Sequence, residues 1–204
     1  MTLRRNADRS ERGYQLVELV VATALAALVL ALATPPLLDA AAGIRVRLAA
    51  AELVGALRRA RAEAIAHAVH VGVKFRTAPD GAVSWALYRD GDGDGVRTDD
   101  IDSGVDPQAA PARRLAHFDR RIGFGFPPGR PPRDPADPRR RLDRLHDPIR
   151  FNRSDLASFG PLGGSTPGSL YLTDHARHLV AVRVFGATAK VKVIRYDPEA
   201  EVWR

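Results

Sequence analysis

The sequence contains no cysteine, one methionine and few aromatic residues, which make up 6% of its 204 residues. The absence of cysteine excludes a disulfide framework, thiolate zinc sites, iron–sulfur clusters and a cysteine nucleophile. Lysine is scarce as well, with 3 residues against 28 arginines, so nearly all of the positive charge behind the net +7 is guanidinium. Hydrophobic residues at 45% nevertheless indicate a folded chain of one domain, or of one domain with an appendage.

The sequence also lacks the patterns that carry common catalytic chemistry. It has neither a phosphate-binding loop nor a dinucleotide fingerprint. Ser165 stands in a loop sequence without the strand–turn–helix pattern of a nucleophile elbow. The six histidines are scattered, and neither of their two close pairs has an acidic third ligand at a zinc-site spacing. We therefore expect a protein that is not an enzyme and that holds no resident cofactor.

The N-terminus combines a short basic stretch with a long apolar run. Residues 1–13 hold four arginines against two carboxylates, and residues 16–33 contain Glu18 as their one charged side chain. Eighteen helical residues span about 27 Å, close to the ~30 Å of a bilayer's hydrocarbon core. The charge asymmetry predicts that residues 1–13 stay in the cytoplasm and that the rest crosses outward. An ordinary signal peptide, cleaved after residues 31–33, is the alternative.

Glu18 argues against an ordinary signal peptide. A carboxylate three residues into a membrane segment costs about 2.5–3.5 kcal/mol on insertion scales, so it needs a cationic partner or water. No lysine or arginine follows it before Arg45. A glutamate that reaches water at the membrane interface is the simplest explanation.

Residues 13–18, Gly-Tyr-Gln-Leu-Val-Glu, resemble the cleavage motif of prepilins and of type II secretion pseudopilins. The resemblance implies that a prepilin peptidase cuts between Gly13 and Tyr14 and that the new amine of Tyr14 is methylated. It also implies that Glu18 pairs with the terminal amine of a neighbouring subunit. Tyr14 and Gln15 stand where the family usually has phenylalanine and threonine. A buried carboxylate and a buried amine are each tolerable only beside the other, so the pair can favour one register between subunits.

Hydrophobic periodicity and the resemblance together predict an α+β, pilin-like fold. We expect a leader at 1–13, a transmembrane and assembly helix at 14–38, an amphipathic helix at 39–68, and a β-rich headpiece at 69–204. The apolar stripe of the 39–68 helix, with Ile44, Leu48, Leu57 and Ile65, is expected to pack under a sheet. Pro35 and Pro36 are expected to kink or interrupt the helix. Alternation and turn residues predict a hairpin of 69–75 and 83–88, and further strands at 114–118, 149–151, 169–173, 178–185 and 189–196.

Residues 60–65, Ala-Arg-Ala-Glu-Ala-Ile, are similar to a helix string of the GspH/FimT group of minor pseudopilins, and 149–151, 159–160 and 168–172 follow in the same order. This resemblance implies a structural subunit of the type II secretion pseudopilus, involved in protein secretion. It would be a single-pass protein of the bacterial inner membrane with a periplasmic headpiece, and its partners would be other pseudopilins and the prepilin peptidase. A FimT-like minor pilin in type IV pilus biogenesis or DNA uptake is the alternative.

The DNA-binding alternative depends on the residues near the C-terminus. FimT-like DNA binders look to have a basic Gly-Arg-x-Arg string near the C-terminus. Residues 186–192 of this chain read Gly-Ala-Thr-Ala-Lys-Val-Lys instead. Lys190 and Lys192 fall on one face of a strand and could contact phosphates. The missing arginines argue against DNA as a partner.

Asp90, Asp92 and Asp94 alternate with glycines, as at the start of a calcium loop. The position of the closing glutamate holds Ile101, so the loop is not an EF-hand. Asp-Gly repeats also make turns without any metal, and both interpretations stay open. If calcium binds, an envelope-anchored calcium-binding domain that never assembles is a third function class.

Residues 127–148 differ from the rest in composition. They contain seven prolines, six arginines and four aspartates, with few apolar side chains. Such a stretch is not expected to bury a core, so we predict an extended, mobile and solvated insertion.

Overall fold

The computed structural model describes the backbone of residues 5–115 and 121–204, and side chains from residue 15 onward within those ranges. The first four leader residues, and residues 116–118 of one predicted strand, lie outside the described residues. The chain divides into two compact units, Met1–Ala41 and Ala42–Arg204.

One helix, α1, runs from Arg5 to His67 and contains both Pro35 and Pro36. The predicted interruption at the prolines is therefore wrong. Each proline removes one N–H from the helix ladder, but the long alanine- and leucine-rich runs on both sides keep the backbone helical. Just before them, the Thr34 hydroxyl donates to the Leu30 carbonyl at 2.6 Å, a local bond that the helix geometry allows.

Ten strands and a short helix follow α1 in the described chain. The elements are β1 (Val71–Thr77), β2 (Val83–Arg89), α2 (Thr98–Ser103), β3 (Arg113–Arg114), β4 (Gly123–Phe124), β5 (Ile149–Arg150), β6 (Leu156–Phe159), β7 (Gly168–Thr173), β8 (Leu179–Phe185), β9 (Lys190–Asp197) and β10 (Val202–Trp203). The first sheet has four strands in the order β3-β2-β1-β6. The second sheet has the order β10-β9-β8-β7-β4, and β5 also pairs with β7.

The long helix followed by antiparallel sheets confirms the α+β, pilin-like fold. The predicted hairpin is present, with Phe75 opposite Trp85. The strands predicted from residues 149, 169, 178 and 189 correspond to β5, β7, β8 and β9 within two residues at each end. Four elements, β4, β6, β10 and α2, were not predicted, because they are too short to show a period.

The core of the second unit forms under one face of α1. Its buried residues recur every three or four positions, which is the period of one helix face. They pack with aromatic and aliphatic side chains from both sheets, including Phe75, Trp85, Phe151, Leu170 and Val182. The helix side of this core comprises Val46, Ala49, Ala50, Leu53, Val54, Leu57, Ala60 and Ala64. The 39–68 part of α1 does pack against the sheets, as predicted, and Leu57 lies in the core. The choice of the other apolar residues was wrong, since Ile44, Leu48 and Ile65 are 48–50% exposed and lie off the buried face.

The turn between β7 and β8 is organised by one carboxylate. Asp174 Oδ1 accepts hydrogen bonds from the backbone N–H groups of Ala176, Arg177 and His178 at 2.9–3.0 Å. Its Oδ2 lies 2.7 Å from His178 Nδ1. Burial raises the pKa of Asp174, but these hydrogen bonds outweigh it and leave the pKa below its ordinary value.

The structure corrects the prediction for residues 127–148, which fold back on the second sheet. Arg133 and Arg141 form a β-bridge within the segment. Leu142 is 4% exposed and packs in a second small core with Tyr171 and Ile194. The Trp203 indole N–H donates to the Arg133 carbonyl at 2.7 Å. The composition of the segment did not predict this packing, because few contacts are needed for it. One buried leucine, hydrogen bonds to backbone carbonyls and paired arginines are enough to attach the segment to the second sheet.

Candidate functional site

The first candidate site is the exposed apolar half of α1. The backbone of Gly13 and Tyr14 is helical. From residue 16 to 38 the large apolar side chains are 51–69% exposed, and the stretch is long and apolar enough to cross a membrane. Within it, the Thr23 hydroxyl bonds to carbonyls of its own helix at 2.9 and 3.0 Å. Glu18 is the one ionisable residue between 15 and 38.

Glu18 has no hydrogen bond or ion pair with any residue whose side chain the structure describes. Tyr14 stands four residues earlier on the same helix, so both positions lie on one face, about 6 Å apart along the axis. A terminal amine at Tyr14 would therefore be close to the Glu18 position of its own chain. The amine of an adjacent helix would serve equally well, and the geometry of one chain leaves both arrangements available.

The second candidate site is the loop after β2. The structure brings Asp90, Asp92 and Asp94 together, with one carboxylate oxygen of each within 4.8 Å of the others. Asp90 is the buried member, with a side chain 3% exposed. Its Oδ1 accepts from the Gly93 N–H at 2.7 Å, and its Oδ2 accepts from the Gly95 N–H at 3.0 Å.

Internal hydrogen bonds therefore account for the shape of this loop. Burial raises the pKa of Asp90, but the bonds from Gly93, Gly95 and His70 outweigh it and hold the pKa below its ordinary value. Asp94 pairs with the Arg97 guanidinium. Partial desolvation and the nearby Asp92 carboxylate nonetheless raise the pKa of Asp94. Calcium binding at these three oxygens stays a prediction.

Asp106 fixes the shape of this loop, and sequence reasoning missed it. Asp106 is buried, with only 1% of the residue exposed. Its Oδ1 accepts from the Gly91 N–H and its Oδ2 from the Arg97 N–H, each at 3.0 Å, so one carboxylate ties both ends of the acidic loop together. The available signal was an aspartate closing an aspartate-rich stretch, but its contacts lie 15 and 9 residues away.

Ile101 occupies the position where a calcium loop of the EF-hand type would have its closing glutamate. It lies in α2, is 8% exposed, and packs with Val96 and Leu156. The structure thus uses this position as an apolar anchor that attaches the loop to β6.

The third candidate group is the basic outer face of β9. Lys190 and Lys192 are exposed and lie opposite Phe185 and Arg183 of β8. Arg183 is held by the Pro135 carbonyl at 2.8 Å and stacks 5.3 Å from the Phe185 ring centroid. The predicted common face of the two lysines is therefore present, beside the folded 127–148 segment.

A cluster of arginines around Glu201 holds that segment in place. Arg141 Nη2 donates to both carboxylate oxygens of Glu201 at 2.7 Å. Arg130 and Arg133 add bonds at 3.2 and 3.3 Å. The hydrogen bond from Arg141 lowers the pKa of Glu201. No local spacing could have found this cluster, because Glu201 is 60 residues from Arg141.

A helix that exposes an apolar membrane-length stretch, and whose later turns are buried under antiparallel sheets, defines the class of membrane-anchored, pilin-like subunits. Residues 49–188 match the family model of the type II transport protein GspH, and the chain belongs to this family. The family is one of structural pseudopilins and not of enzymes, which gives the protein a pseudopilin role in type II secretion. No curated protein and no solved structure matches the chain significantly.

Proposed function

We propose that the protein is a minor pseudopilin, a structural subunit that joins other pseudopilins in the periplasmic pseudopilus of a type II secretion system. The observation that carries this proposal is the exposed apolar stretch of α1, residues 16–38, on the same helix that forms the core of the second unit. Such a stretch needs lipid before assembly and other helices after it. The basic leader supports an orientation with the N-terminus in the cytoplasm and the headpiece in the periplasm.

Maturation by a prepilin peptidase is the second part of the proposal. Cleavage after Gly13 would remove the basic leader and leave a methylated amine on Tyr14. That amine would begin the helix inside or beside lipid, where an unpaired charge is costly. Glu18 is the carboxylate available within the apolar stretch to neutralise it.

We assign Glu18 the role of pairing with the Tyr14 amine of a neighbouring subunit. In a dry interface, breaking such a pair by removing one partner costs about 3–5 kcal/mol, because the other charge is left buried and unpaired. In the free membrane-bound subunit, removing Glu18 instead eliminates a costly charge. The substitution should therefore act on assembly and spare insertion.

The test expresses Glu18→Ala beside wild-type partner pseudopilins and an active prepilin peptidase. We expect the variant to insert in the inner membrane, to lose its 13-residue leader by intact mass, and to fail to crosslink or co-purify with its partners. Thr23→Val is the matched control, since it removes a polar group that bonds only to its own helix, and it should assemble normally.

Normal co-assembly of Glu18→Ala would refute the pairing between subunits. A mature chain that starts after residue 33, or an uncleaved leader beside active peptidase, would refute the pseudopilin maturation itself. Co-purification with type IV pilins in place of type II pseudopilins would assign the subunit to a pilus.

A further inference from the structure

Among the residues that the structure describes, strand β9 has an unpaired edge along part of its length. On one side it pairs with β8 over residues 190–195. On the other side β10 pairs only with Tyr196 and Asp197, and Arg204 extends that contact to Arg195. Along residues 190–194, the described part of the chain places no strand on this second side.

The hydrogen-bond pattern identifies which backbone groups point to the open edge. Arg195 donates to the Arg204 carbonyl at 2.8 Å and accepts from the Arg204 N–H at 2.9 Å, so both of its backbone groups face the β10 side. In an antiparallel sheet, alternate residues of a strand direct these groups to the same neighbour. Val191 and Val193 therefore present two N–H donors and two carbonyl acceptors to the open edge, whereas Lys190 and Lys192 pair with β8.

The side chains along this edge combine exposed apolar surface with positive charge. Val193 is 42% exposed, on the face where Val191 packs against the main core. The opposite face carries Lys190 and Lys192, both exposed. A strand added here would cover Val193 with an apolar side chain and would place its other side chains opposite the two lysines.

The charges select the partner. A second copy added antiparallel at the centre of the edge would put Lys192 opposite Lys192 of that copy, and like charges directly opposite each other are destabilising. An added strand with carboxylates on its lysine-facing side would instead form opposite-charge pairs across the new ladder.

We propose that the 190–194 edge of β9 binds an extended acidic segment of another protein, which adds to the sheet as an antiparallel strand in line with β10. The backbone groups of Val191 and Val193 supply the new hydrogen bonds, and Lys190 and Lys192 select alternating carboxylates. This inference does not depend on filament assembly, so it can fail without affecting the pseudopilin proposal.

The test uses the full chain in detergent micelles and a fluorescent peptide, Thr-Glu-Val-Glu-Val-Glu-Thr, with a peptide carrying lysine in place of glutamate as the comparison. We expect the acidic peptide to bind and the lysine peptide not to bind. The affinity for the acidic peptide should fall as salt is added. Amide exchange gives the sharper readout. The N–H groups of Val191 and Val193 should become protected in the complex, while those of Lys190 and Lys192, already paired, should be unchanged.

Two variants test the edge and the charges separately. Val193→Pro removes one edge-facing N–H, a change that edge strands tolerate, and should weaken binding about tenfold. Val193→Thr keeps the N–H and is its matched control. Lys190→Glu with Lys192→Glu should reverse the preference towards the lysine peptide. Arg139→Glu with Arg140→Glu makes the same charge change at exposed sites of the neighbouring segment and should not reverse it.

Several results would overturn the proposal. One is the absence of acidic-peptide binding up to about 1 mM, which would mean that the lysines only protect the edge from aggregation. Another is binding without protection of the Val191 and Val193 amides. A third is binding of a single-stranded oligonucleotide in place of the peptide, which would make the lysines a phosphate-binding surface.

Discussion

Replacing Asp106 with alanine should open the acidic loop and destabilise the second unit. The carboxylate of Asp106 holds the N–H groups of Gly91 and Arg97 at 3.0 Å each, and the residue is 1% exposed. Alanine at this position removes both acceptors and leaves two backbone donors without their partners. The side chain makes no other hydrogen bond within the described residues, so the loss can be assigned to these two contacts.

The expected magnitude follows from those two bonds. A hydrogen bond to a charged group contributes about 1.5–3 kcal/mol, so the two bonds together contribute about 3–6 kcal/mol. Gly91 lies at an exposed position, where water can replace part of what is lost, which favours the lower end, about 3 kcal/mol. For a domain of this size, that corresponds to a fall in melting temperature of about 6–12 °C.

The assay is thermal unfolding of fragment 42–204, which contains every residue of the three apolar clusters. Asp106→Asn keeps one acceptor oxygen and should lose about half as much stability as alanine. Asp99→Ala removes an exposed aspartate of the same stretch and should leave the melting temperature nearly unchanged. If Asp106→Ala and Asp99→Ala melt together, the carboxylate of Asp106 does not hold the loop and our account of its shape is wrong.

Three further predictions use the same fragment. If Asp90, Asp92 and Asp94 bind calcium, the ion should stabilise the fragment by about 2.7 kcal/mol at one hundred times its dissociation constant, measured as a rise in melting temperature. The double substitution Asp92→Asn with Asp94→Asn should abolish that rise. No change in melting temperature at millimolar calcium would show that the loop is a plain turn. Gly168→Ala should strongly destabilise the fragment, because the new Cβ would lie 2.2 Å from Phe151 Cδ1 and 2.4 Å from the Arg150 carbonyl oxygen. Gly55→Ala is the control, since its Cβ would meet nothing within 4 Å and the change should be neutral or stabilising. Equal melting temperatures of the two variants would contradict this packing. Because the pKa of Asp174 is lowered on folding, its contribution to stability is present above the unfolded pKa of about 3.9 and is lost as the pH falls through the lower folded value. Asp174→Asn should therefore make the melting temperature fall less steeply between about pH 5 and pH 2. The same pH profile in the variant and the wild type would refute this role of Asp174.

The sequence was sufficient where structure depends on local pattern. The β1–β2 hairpin alternates around a Pro-Asp-Gly turn, and the helix over 39–68 follows a period of three to four residues. The period predicted the helix but not its buried face, since alanines fill much of that face while the larger Ile44 and Leu48 are about half exposed. Periodicity of this kind is set by backbone geometry and can be read without knowledge of the partners. The proline pair shows the limit of local reasoning, since helix formers on both sides kept α1 continuous through Pro35 and Pro36.

The sequence was insufficient where a residue's role depends on a distant partner. From the sequence alone, Asp106 and Glu201 cannot be told apart from acidic residues that simply face solvent. In the folded chain each holds a segment in place through contacts with residues far away in sequence. The open edge of β9 is of the same kind, because it exists only where β10 stops pairing. The acidic loop was found, since its three carboxylates are neighbours in sequence, but the group that fixes its shape was not.

The arginine cluster around Glu201 also sets an order of events during synthesis. Arg141 is made 60 residues before its acceptor, and the Arg133 carbonyl 70 residues before the Trp203 indole that binds it. Until those later residues emerge, the 127–148 segment carries guanidinium groups without the carboxylate that will neutralise them. These two contacts can therefore form only once residues 201–203 have been made, so the C-terminal residues complete the anchoring of a segment that lies some 60 residues earlier in the chain.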